Sequence, residues 1–417
     1  MKKEIKERIE AVRRGEVPEG YRRTRAGLMP LEWQGNLAAK DVFRNYTNKK
    51  HNGEFQVLSA TQDRGIIPRS EVDIDIKYAE ENIGSYKKVD SGDFVISLRS
   101  FQGGIEYSEY EGLVSPAYTV LKATKPIADN FYRAYFKTLD FISRLNGAVY
   151  GIRDGKQIGF DDFGDLAIHY PPVEEQQQIA EIMATCDRVI ELKQQLLEEK
   201  RRQKKWLMQK LLDPNSGVKL PGVESGKWRK FVIGEECEMF SGGTPKAGKD
   251  EYYTGGTIPF IRSGEIAENK TELFLTRDGY NSSSAKMVEV GDLLYALYGA
   301  NSGECAISQI NGAINQAILC VRPKHIERKV LYYLLCAKKE QIIATYLQGG
   351  QGNLSAEIIK KLIVELPVDR EHQSRIVEIL HMADQEIICC ESEFAEWQQK
   401  KKALMQLLLT GLVRVNA

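Results

Sequence analysis

Residues 174–212 read EEQQQIAEIMATCDRVIELKQQLLEEKRRQKKWLMQKLL, and much of this stretch is repeated at residues 371–409. Shifting the chain by 197 positions gives 15 identities in 39 aligned pairs, including Gln176 with Gln373. Ordinary residue frequencies would give roughly two or three identities over such a length. A structural unit that is present twice therefore determines the architecture.

In both copies, apolar residues recur at alternating steps of four and three, which is the spacing of a coiled-coil seam. Lysines occupy three seam positions of the first copy, at Lys193, Lys200 and Lys204. Neither copy contains Pro or Gly, so each predicts one helix of roughly 58 Å at about 1.5 Å per residue. The simpler alternative is an amphipathic helix packed on its own domain, but repetition over the full length favours a helix pair. The predicted seam residues are Ile179, Met183, Cys186, Ile190, Leu197, Leu207 and Leu211 in the first copy, and Ile376, Leu380, Ile387, Phe394, Trp397, Leu404 and Leu408 in the second.

Composition places the chain among ordinary cytoplasmic globular proteins. Its 417 residues suffice for two or three domains. Lys plus Arg and Asp plus Glu both number 58, so a polyanionic partner must be bound by local patches rather than by net charge. The seven cysteines show no CxxC pair, which indicates a reducing compartment without a cysteine metal site. No apolar run is long enough for a membrane span, and the charged N-terminus does not resemble a signal peptide.

Two β-rich regions precede the two helices and repeat each other more weakly. Short β-type runs separated by glycine dominate both regions, and helical stretches come late in each. Two tandem copies most commonly adopt a two-fold arrangement, which would make the helices antiparallel with one globular region at each end. The sequence therefore predicts an α+β fold, in which two β-rich domains are separated by two long antiparallel helices that form a coiled coil. The weak repeat of the two β-rich regions is visible when the chain is shifted by 199 positions. At this offset, identical residues coincide at Val89 and Val288, Gly92 and Gly291, Asp93 and Asp292, and Leu98 and Leu297.

The predicted segments follow from these patterns and from the helix-stop signals Gly15, Pro18 and Pro214. They are an N-terminal helix and linker at 1–30, a first β-rich domain at 31–173, a central helix at 174–212, a linker at 213–227, a second β-rich domain at 228–367 and a C-terminal helical segment at 368–417.

No motif in the chain predicts an enzyme. Residues 243–250 nearly form a P-loop, but Asp250 replaces the Ser or Thr that binds magnesium, and Pro245 removes a backbone donor. Residues 169–172, HYPP, resemble the Asn-Pro-Pro-Tyr segment of adenine methyltransferases but lack its Asn, so a stop before the helix is the simpler interpretation. The histidines have no metal-ligand spacing, and the chain has no Pro-Asp nuclease signature. We therefore expect no catalytic residue, metal or cofactor in this chain.

The remaining polar signals are predicted to lie in loops of the two β-rich regions. They combine Arg and Lys, which suit phosphates and guanine, with Asn and Gln, which suit adenine. For any single residue, an ordinary solvated side chain is the simpler interpretation. The candidate DNA-binding residues are Arg44, Lys49, Lys50, Thr61, Gln62, Arg64, Arg99, Ser100, Gln102, Arg153 and Lys156 in the first region, and Ser241, Thr244, Lys246, Lys249, Arg262, Ser263, Tyr298, Asn301, Gln348, Gln351 and Asn353 in the second.

Several segments, two of them duplicated in the long helices, form a pattern over nearly the whole chain. They are PPVEEQQQIAEI at 171–182, LPVDREHQSRIVEI at 366–379, the KKxLMQxLL motif at 204–212 and 401–409, SGGTP at 241–245, IPFIRSG at 258–264 and GDLL at 291–294. With these segments, the sequence resembles the specificity subunit of type I restriction–modification enzymes. The first region departs from the family's pattern, reading LSATQ at 58–62 and GDFV at 92–95.

The resemblance implies two target recognition domains, each reading one half of an asymmetric, split DNA sequence. It also implies that the helices act as a ruler and as a docking surface for two modification subunits. Those subunits would carry S-adenosylmethionine and methylate adenine N6, whereas restriction subunits would use ATP and Mg²⁺ to translocate and cut DNA. This chain itself would be non-catalytic and would bind no cofactor.

Two major-groove readers on one face of B-DNA lie about one helical turn apart, roughly 34–36 Å, which helices of roughly 58 Å could span. Two other classes of protein remain open from the sequence. One is a solitary DNA-binding protein or decoy specificity subunit that never meets a methyltransferase. The other is a single-chain methyltransferase or nuclease, against which the missing cofactor loop argues.

Overall fold

The computed structural model describes residues 3–35, 37–72, 80–98, 100–148, 158–220, 227–246, 248–346 and 353–415. The chain divides into two compact units. Unit 1 consists of residues 1–193 together with 393–417, and unit 2 consists of residues 194–392. The unit limits fall inside the two long helices, so they differ from the predicted domain limits, which separate the helices from the β-rich regions.

Unit 1 contains the first β-rich region. Its helices before the first long helix are α1 (Lys3–Arg13), α2 (Ser100–Gly103), α3 (Asp129–Tyr135), α4 (Leu139–Ala148) and α5 (Phe160–Gly164). Its strands are β1 (Tyr21–Thr24), β2 (Gly27–Pro30), β3 (Phe43–Tyr46), β4 (Leu58–Thr61), β5 (Gly65–Pro68), β6 (Lys87–Val89), β7 (Phe94–Ile96), β8 (Glu106–Tyr107), β9 (Gly112–Val114) and β10 (Thr119–Ala123).

Unit 2 contains the second β-rich region, which follows the first long helix α6 (Val173–Leu211) and precedes the second, α11 (Arg370–Leu409). Its strands are β11 (Trp228–Val232), β12 (Cys237–Ser241), β13 (Ile258–Ile261), β14 (Phe274–Leu275), β15 (Lys286–Val288), β16 (Leu293–Ala296), β17 (Cys305–Ile307), β18 (Gly312–Ile314), β19 (Ile318–Pro323) and β20 (Ile363–Pro367). Its other helices are α7 (Ile233–Glu236), α8 (Arg277–Asn281), α9 (Arg328–Tyr346) and α10 (Ala356–Lys361).

The two units share one sheet topology. The main sheet of unit 1 has the order β3-β10-β7-β8, and that of unit 2 has the equivalent order β12-β19-β16-β17. All neighbouring strands in both sheets are antiparallel. The mixture of separate sheets and helices confirms the predicted α+β class, and the common strand order extends the weak sequence repeat to the fold.

A buried aspartate before a central strand is also repeated. Asp93 precedes β7 and Asp292 precedes β16, with 5% and 3% of each residue exposed. Each carboxylate accepts a hydrogen bond from the backbone N–H three residues earlier, at 2.9 Å in both units. Lys122 on β10 lies 3.1 Å from Asp93, and Arg322 on β19 lies 2.6 Å from Asp292. Burial raises the pKa of Asp93; at Asp292 burial also acts upward, but hydrogen bonds from Arg322 and the backbone outweigh it and lower the pKa.

The helices α6 and α11 run antiparallel in each unit. In unit 1 the partner on α11 moves from Lys401 back to Glu393 as α6 advances from Asp187 to Lys193. In unit 2 it moves from Glu386 back to Asp384 as α6 advances from Lys200 to Lys204, which is again the order that antiparallel helices require. The lysines that interrupt the predicted seam each have a carboxylate on the opposite helix. The ion pairs are Asp187 with Lys401 and Lys193 with Glu393 in unit 1, and Lys200 with Glu386 and Lys204 with Asp384 in unit 2.

The predicted seam lies on the inner faces of these helices. All of its residues are buried or half-buried in the structure. The buried ones are Ile179, Met183, Cys186 and Leu408 in unit 1 and Leu197, Leu211, Ile376 and Leu380 in unit 2; the half-buried ones are Ile190, Phe394, Trp397 and Leu404 in unit 1 and Leu207 and Ile387 in unit 2.

Each long helix is joined to its β-rich region by a duplicated glutamine. The amides of Gln176 and Gln373 donate to the carbonyl of a proline before the helix, at 2.9 Å and 2.7 Å. Their oxygens accept from the backbone N–H of Ala128 and Glu327, at 2.9 Å and 2.8 Å. The two glutamines are 0% and 3% exposed, so these bonds satisfy buried amides that would otherwise be costly.

Two sequence predictions differ from the structure. Residues 16–30 are not a linker throughout, because β1 and β2 pair as a hairpin from Tyr21↔Pro30 to Thr24↔Gly27. The helical stretch FYRAYFKTLDFISRL at 131–145, one of those that come late in the two regions, consists of two helices, α3 and α4. Thr138 separates them, because its hydroxyl donates to the Tyr135 carbonyl and accepts from the N–H of Phe141, the arrangement of an N-terminal cap.

In unit 1, segments near the two ends of the chain meet close to His169. Its Nδ1 lies 3.1 Å from the Leu409 carbonyl at the end of α11, and its ring packs edge-on against Trp33 at 5.4 Å. The C-terminal segment also accepts hydrogen bonds at Gly411 from the Tyr21 hydroxyl, 2.6 Å, and at Leu412 from Arg8, 2.9 Å. The N-terminal helix and hairpin therefore contact the C-terminal segment that follows α11.

We expect His169 to make unit 1 less stable in acid. Burial lowers the pKa of His169 from 6.5 to about 4, so the neutral ring contributes stability that is complete above pH 6.5 and is lost as the pH falls toward 4. Between pH 7 and pH 5 this amounts to about 2 kcal/mol. Urea unfolding of the wild type and His169→Gln should measure it, with the variant losing less stability over that interval. Equal losses would show that His169 is not the titrating group.

Candidate nucleic-acid interface

In unit 2, several loops meet at one edge of the β-rich region. The segment after β12 contacts the turn before β19, because the Gly242 N–H donates to the Asn315 carbonyl at 3.2 Å. The loop after β16 contacts the same turn, through Leu297 N–H to Ala317 O at 2.8 Å. Leu354 N–H in turn donates to Leu297 O at 3.0 Å. Predicted DNA-binding residues from three separate stretches of sequence are therefore neighbours.

Backbone packing at this edge requires glycine after β12. A Cβ on Gly242 would lie 1.7 Å from the Ile314 carbonyl oxygen, and one on Gly243 would lie 1.9 Å from the Ser284 hydroxyl. A Cβ on Gly264 would approach the Asn301 amide to 3.2 Å, so the loop after β13 also lies against the loop after β16. The edge is thus a closely packed platform rather than a set of independent loops.

The candidate side chains at this edge differ in exposure. Thr244, Lys246, Lys249, Arg262 and Asn353 are exposed, whereas Ser241, Ser263, Tyr298 and Asn301 are half-buried. Tyr298 packs partly against the hydrophobic core of unit 2. Lys249 is held by the Tyr252 hydroxyl at 3.2 Å and by Glu251 at 3.1 Å. The exposed members are those whose side chains remain accessible to a ligand.

Arg262 is held by two carboxylates. Its guanidinium lies 2.5 Å from Glu265 and 2.8 Å from Glu272. The hydrogen bond to Arg262 lowers the pKa of Glu265 to about 2. The three residues line a cavity of about 570 Å³ together with Lys270 and Thr271. A DNA phosphate or base must compete with these carboxylates for the guanidinium.

In unit 1, the loop after β4 lies near α2 and the end of α3. Gln62 Nε2 lies 3.4 Å from Gln102 Oε1, and Lys137 Nζ lies 3.3 Å from the Gln62 carbonyl. Thr61 stabilises the turn between β4 and β5, because its hydroxyl donates to the Gly65 carbonyl at 2.9 Å. Arg64 donates to the Glu71 carbonyl at 3.0 Å. The exposed amides of Gln62 and Gln102 are therefore brought together.

A basic surface lies elsewhere in the same unit. Lys49 and Lys50 are exposed, and Lys87 on β6 is half-buried with its Nζ 2.5 Å from the Tyr118 carbonyl. Burial lowers the pKa of Lys87, and the charge of Lys49 acts in the same direction, which indicates that the two cations lie near each other. Arg44 on β3 is exposed with its guanidinium over the Tyr46 ring at 5.4 Å. Exposed cations such as these suit phosphate contacts.

Comparison with models of known protein families finds the same family in both units. The family model of the type I restriction modification DNA specificity domain matches residues 35–200 and again 225–393. The chain belongs to this family. Each match covers one β-rich region with part of the long helix that follows it, which is the duplicated unit seen in sequence and topology.

Relatives of the specificity family align along most of the chain. A chain from Methanocaldococcus jannaschii that bears the name MjaX type I restriction enzyme specificity subunit is 25% identical, over 95% of this chain and 97% of its own. The MjaVIII specificity subunit of the same organism is 24% identical, over 79% and 80%. The EcoR124I/EcoR124II specificity subunit of Escherichia coli is 25% identical over 38% of this chain and 41% of its own.

Solved structures of specificity subunits share the fold. The HsdS subunit of Thermoanaerobacter tengcongensis matches 95% of this chain and 98% of its own, with a TM-score of 0.52 and 19% identity. A chain from a structure of complex assembly and conformational transition of the type I R-M system matches 92% and 99%, with a TM-score of 0.63 and 18% identity. At these identities the likeness concerns the fold alone.

Not every residue predicted for DNA binding lies where DNA could reach it in this specificity-family fold. Ser100 is 1% exposed, and its hydroxyl accepts a hydrogen bond from the Ser97 N–H at 2.8 Å, so it stabilises the turn into α2. The remaining predictions that the structure does not place, Arg99, Arg153, Lys156, Gln348 and Gln351, lie outside the described residues.

Sequence reasoning also missed residues that the fold brings to these surfaces. Lys87 joins the basic surface of unit 1, and Gln316 joins the loop edge of unit 2, where Thr244 donates to its amide oxygen at 2.7 Å. The available signal was the weak repeat, since the GAINQA run at 312–317 occupies the place of GLVSPA at 112–117. Isolated polar residues beside β-type runs gave no other indication.

The structure adds one observation on metal binding and one on membrane-spanning helices. Among the described residues, no group of three or more His, Cys, Asp or Glu side chains is arranged to hold a metal ion. Within the same part of the chain, no helix combines the length and apolar character needed to cross a membrane.

We expect Arg262→Ala to weaken binding to a preferred DNA sequence by about 1–3 kcal/mol if the guanidinium contacts a base. If it contacts a phosphate, affinity should fall for all sequences, and the salt dependence of binding should decrease. Titration of the protein with DNA duplexes that vary one base pair at a time measures both effects. Arg277→Ala, an exposed arginine on α8 of the same unit, is the control; equal effects of the two variants would remove Arg262 from the interface.

Proposed function

We propose that this chain is the DNA sequence-specificity subunit of a type I restriction–modification system and that it recognises a bipartite, asymmetric DNA sequence. In this proposal each unit acts as one target recognition domain and reads one half of the target. The long helices set the spacing of the two halves and dock two modification subunits. Restriction subunits join the same assembly.

The observation that carries the proposal is a conserved scaffold with different loop residues. The two sheets have the same strand order, and both have the buried aspartate–cation pair on equivalent strands. At the exposed edges, however, unit 1 presents Gln62 and Gln102, whereas unit 2 presents Thr244 and Arg262. Base-reading side chains specify sequence, so different side chains on one scaffold suit an asymmetric target.

The long helices carry exposed apolar side chains that suit contact with modification subunits. Leu192 of unit 1 is 47% exposed, and Trp206, Met382 and Ile388 of unit 2 are 54%, 66% and 55% exposed. Large apolar side chains at this exposure are available to a protein partner. We assign them to the modification subunits, because docking there leaves the loop edges free for DNA.

The proposal assigns no catalysis to this chain. Methylation of adenine N6 with S-adenosylmethionine, and the extrusion of the target base that it requires, belong to the modification subunits. Use of ATP and Mg²⁺ belongs to the restriction subunits. The family membership supports this division of labour, as does the missing glycine-rich cofactor loop in the sequence.

The deciding experiment combines the chain with a modification subunit of a type I system. We expect the two to co-purify, and methylated adenines in host DNA to define one split sequence with two different halves. The isolated chain should bind no S-adenosylmethionine in calorimetry. Co-purification without methylation of any split target would contradict the proposal.

A solitary or decoy specificity subunit is the second candidate, and the exposed apolar helix surface argues against it. Such a protein would bind DNA without any modification subunit. We expect Met382→Glu with Ile388→Glu to abolish co-purification while binding of the chain to target DNA persists. DNA binding without co-purification in the wild type would favour the decoy.

A further inference from the structure

The turn before β19 in unit 2 holds an exposed glutamine in a fixed position. The residues on both sides of this glutamine are held by backbone hydrogen bonds. The Asn315 carbonyl accepts from the Gly242 N–H, and the Ala317 carbonyl accepts from the Leu297 N–H. Asn315 closes the turn internally, because its side-chain oxygen accepts from the Ala317 N–H at 3.0 Å. Gln316 lies at the exposed tip of this turn, so the backbone that carries it cannot shift freely.

Unit 1 contains the same turn with a different tip. Ser115 takes the place of Asn315, and its hydroxyl accepts from the Ala117 N–H at 3.3 Å. The N–H of the residue after the turn donates to the carbonyl of the first turn residue in both units, from Tyr118 to Ser115 at 3.0 Å and from Ile318 to Asn315 at 3.3 Å. At the tip, unit 1 has the exposed Pro116 in place of Gln316. The turn is therefore common to both units, and the chemistry of its tip is not.

The Gln316 amide is also oriented. The Thr244 hydroxyl donates to its Oε1 at 2.7 Å, which leaves the second lone pair of Oε1 and both hydrogens of Nε2 available. One acceptor beside one donor is the pattern that Asn and Gln use to bind adenine through its N6 amino group and N7 in the major groove. Holding the amide in place before binding reduces the entropy that recognition would otherwise cost.

We propose that Gln316 reads an adenine in the half-site bound by unit 2 and that Thr244 positions its amide. This inference rests on the proposed function, because it requires that unit 2 recognise one half of a DNA target. Pro116 has no side-chain donor or acceptor, so the equivalent position of unit 1 reads no base edge by a polar side-chain contact.

The test uses the chain assembled with its modification subunits. Methylation rates are measured on duplexes in which each base pair of the target is replaced in turn. Gln316→Ala should lose discrimination at one A·T pair of one half-site, by about 10-fold to 100-fold, with all other positions unchanged. Gln316→Glu should instead prefer C at that position, because a carboxylate accepts from the cytosine amino group. Thr244→Val should lose less discrimination than Gln316→Ala, at the same pair.

The matched control is Gln309→Ala. Gln309 is an exposed glutamine of the same unit, held by the Ala267 carbonyl, but it lies before β18 rather than after it. Its variant should leave every position unchanged. Full discrimination by Gln316→Ala, or a loss centred on a G·C pair, would overturn the adenine assignment. If the Gln316→Ala assembly is inactive, the base preference of Gln316→Glu decides the question. An unaltered preference of Gln316→Glu for A would then refute the adenine assignment. A wild-type assembly that methylates no split target would instead contradict the proposed function itself.

Discussion

Replacing residues 228–367 with the equivalent segment of another specificity subunit is expected to change one half of the recognised DNA sequence and leave the other half unchanged. The segment begins in β11 and ends in β20, and these two strands pair with each other from Trp228↔Pro367 to Val232↔Ile363. The two ends of the segment therefore lie side by side within unit 2, and the segment can be exchanged as a whole. Mapping methylated adenines in cells that express the chimera with its modification subunit measures the outcome.

The chimera must preserve the contacts that join this segment to α11. Trp228 packs against His372 with ring centroids 6.0 Å apart, and the Tyr333 hydroxyl lies 2.6 Å from the Asp384 carboxylate. The specificity subunit that supplies the new segment should therefore have Trp and Tyr at the positions of Trp228 and Tyr333. The reciprocal exchange of residues 31–173 is the matched control and should change only the other half. Altered recognition of both halves by either chimera would contradict independent reading by the two units.

The long helices could be predicted from sequence because their pattern is local and repeated. The steps of four and three define the buried face directly, and α6 and α11 begin and end within one residue of the duplicated stretches 174–212 and 371–409. The predicted C-terminal helical segment, 368–417, extends past Leu409, where α11 ends. The sequence also contained the seam lysines but not their partners. Glu393, Glu386 and Asp384 come from the other helix, so only the antiparallel register could identify them.

The sheets could be predicted less completely, because their strands are short and pair over long distances. The runs around β7, β10, β13, β16 and β19 were visible as apolar segments between glycines. The shared strand order was not, since strand pairing depends on tertiary packing rather than on local propensity. The hairpin at Tyr21–Pro30 was missed because arginines dominate its first strand, at Arg22 and Arg23.

The candidate site shows the same limit. Composition identified polar loop residues, but exposure depends on how each turn folds, so Ser100 is buried while Gln102 is exposed. Gln316 was passed over because it stands beside an apolar run. Alignment of Asn315–Ala317 with Ser115–Ala117 would have marked it as a variable tip on a common turn.

Deleting one heptad from both long helices, residues 190–196 and 390–396, is expected to abolish methylation of the natural target. Seven residues correspond to about 10 Å of helix at 1.5 Å per residue, or about three base pairs at 3.4 Å each. If the helices set the spacing of the two half-sites, as proposed, the shortened chain cannot bind both halves at once. Methylation assays on duplexes with spacers shortened one base pair at a time test this.

The paired deletion is chosen so that folding is preserved and only length changes. It keeps the steps of four and three, because Leu197 takes the place of Ile190 and Trp397 that of Cys390. The Lys193–Glu393 pair is removed as a unit, and the Asp187–Lys401 and Lys200–Glu386 pairs on either side remain, although Arg201 loses its partner Glu391. Deleting residues 190–196 alone is the control and should destroy the register, which thermal unfolding would reveal. A folded double deletion that still methylated the target with its original spacer would show that the helices do not determine the spacing.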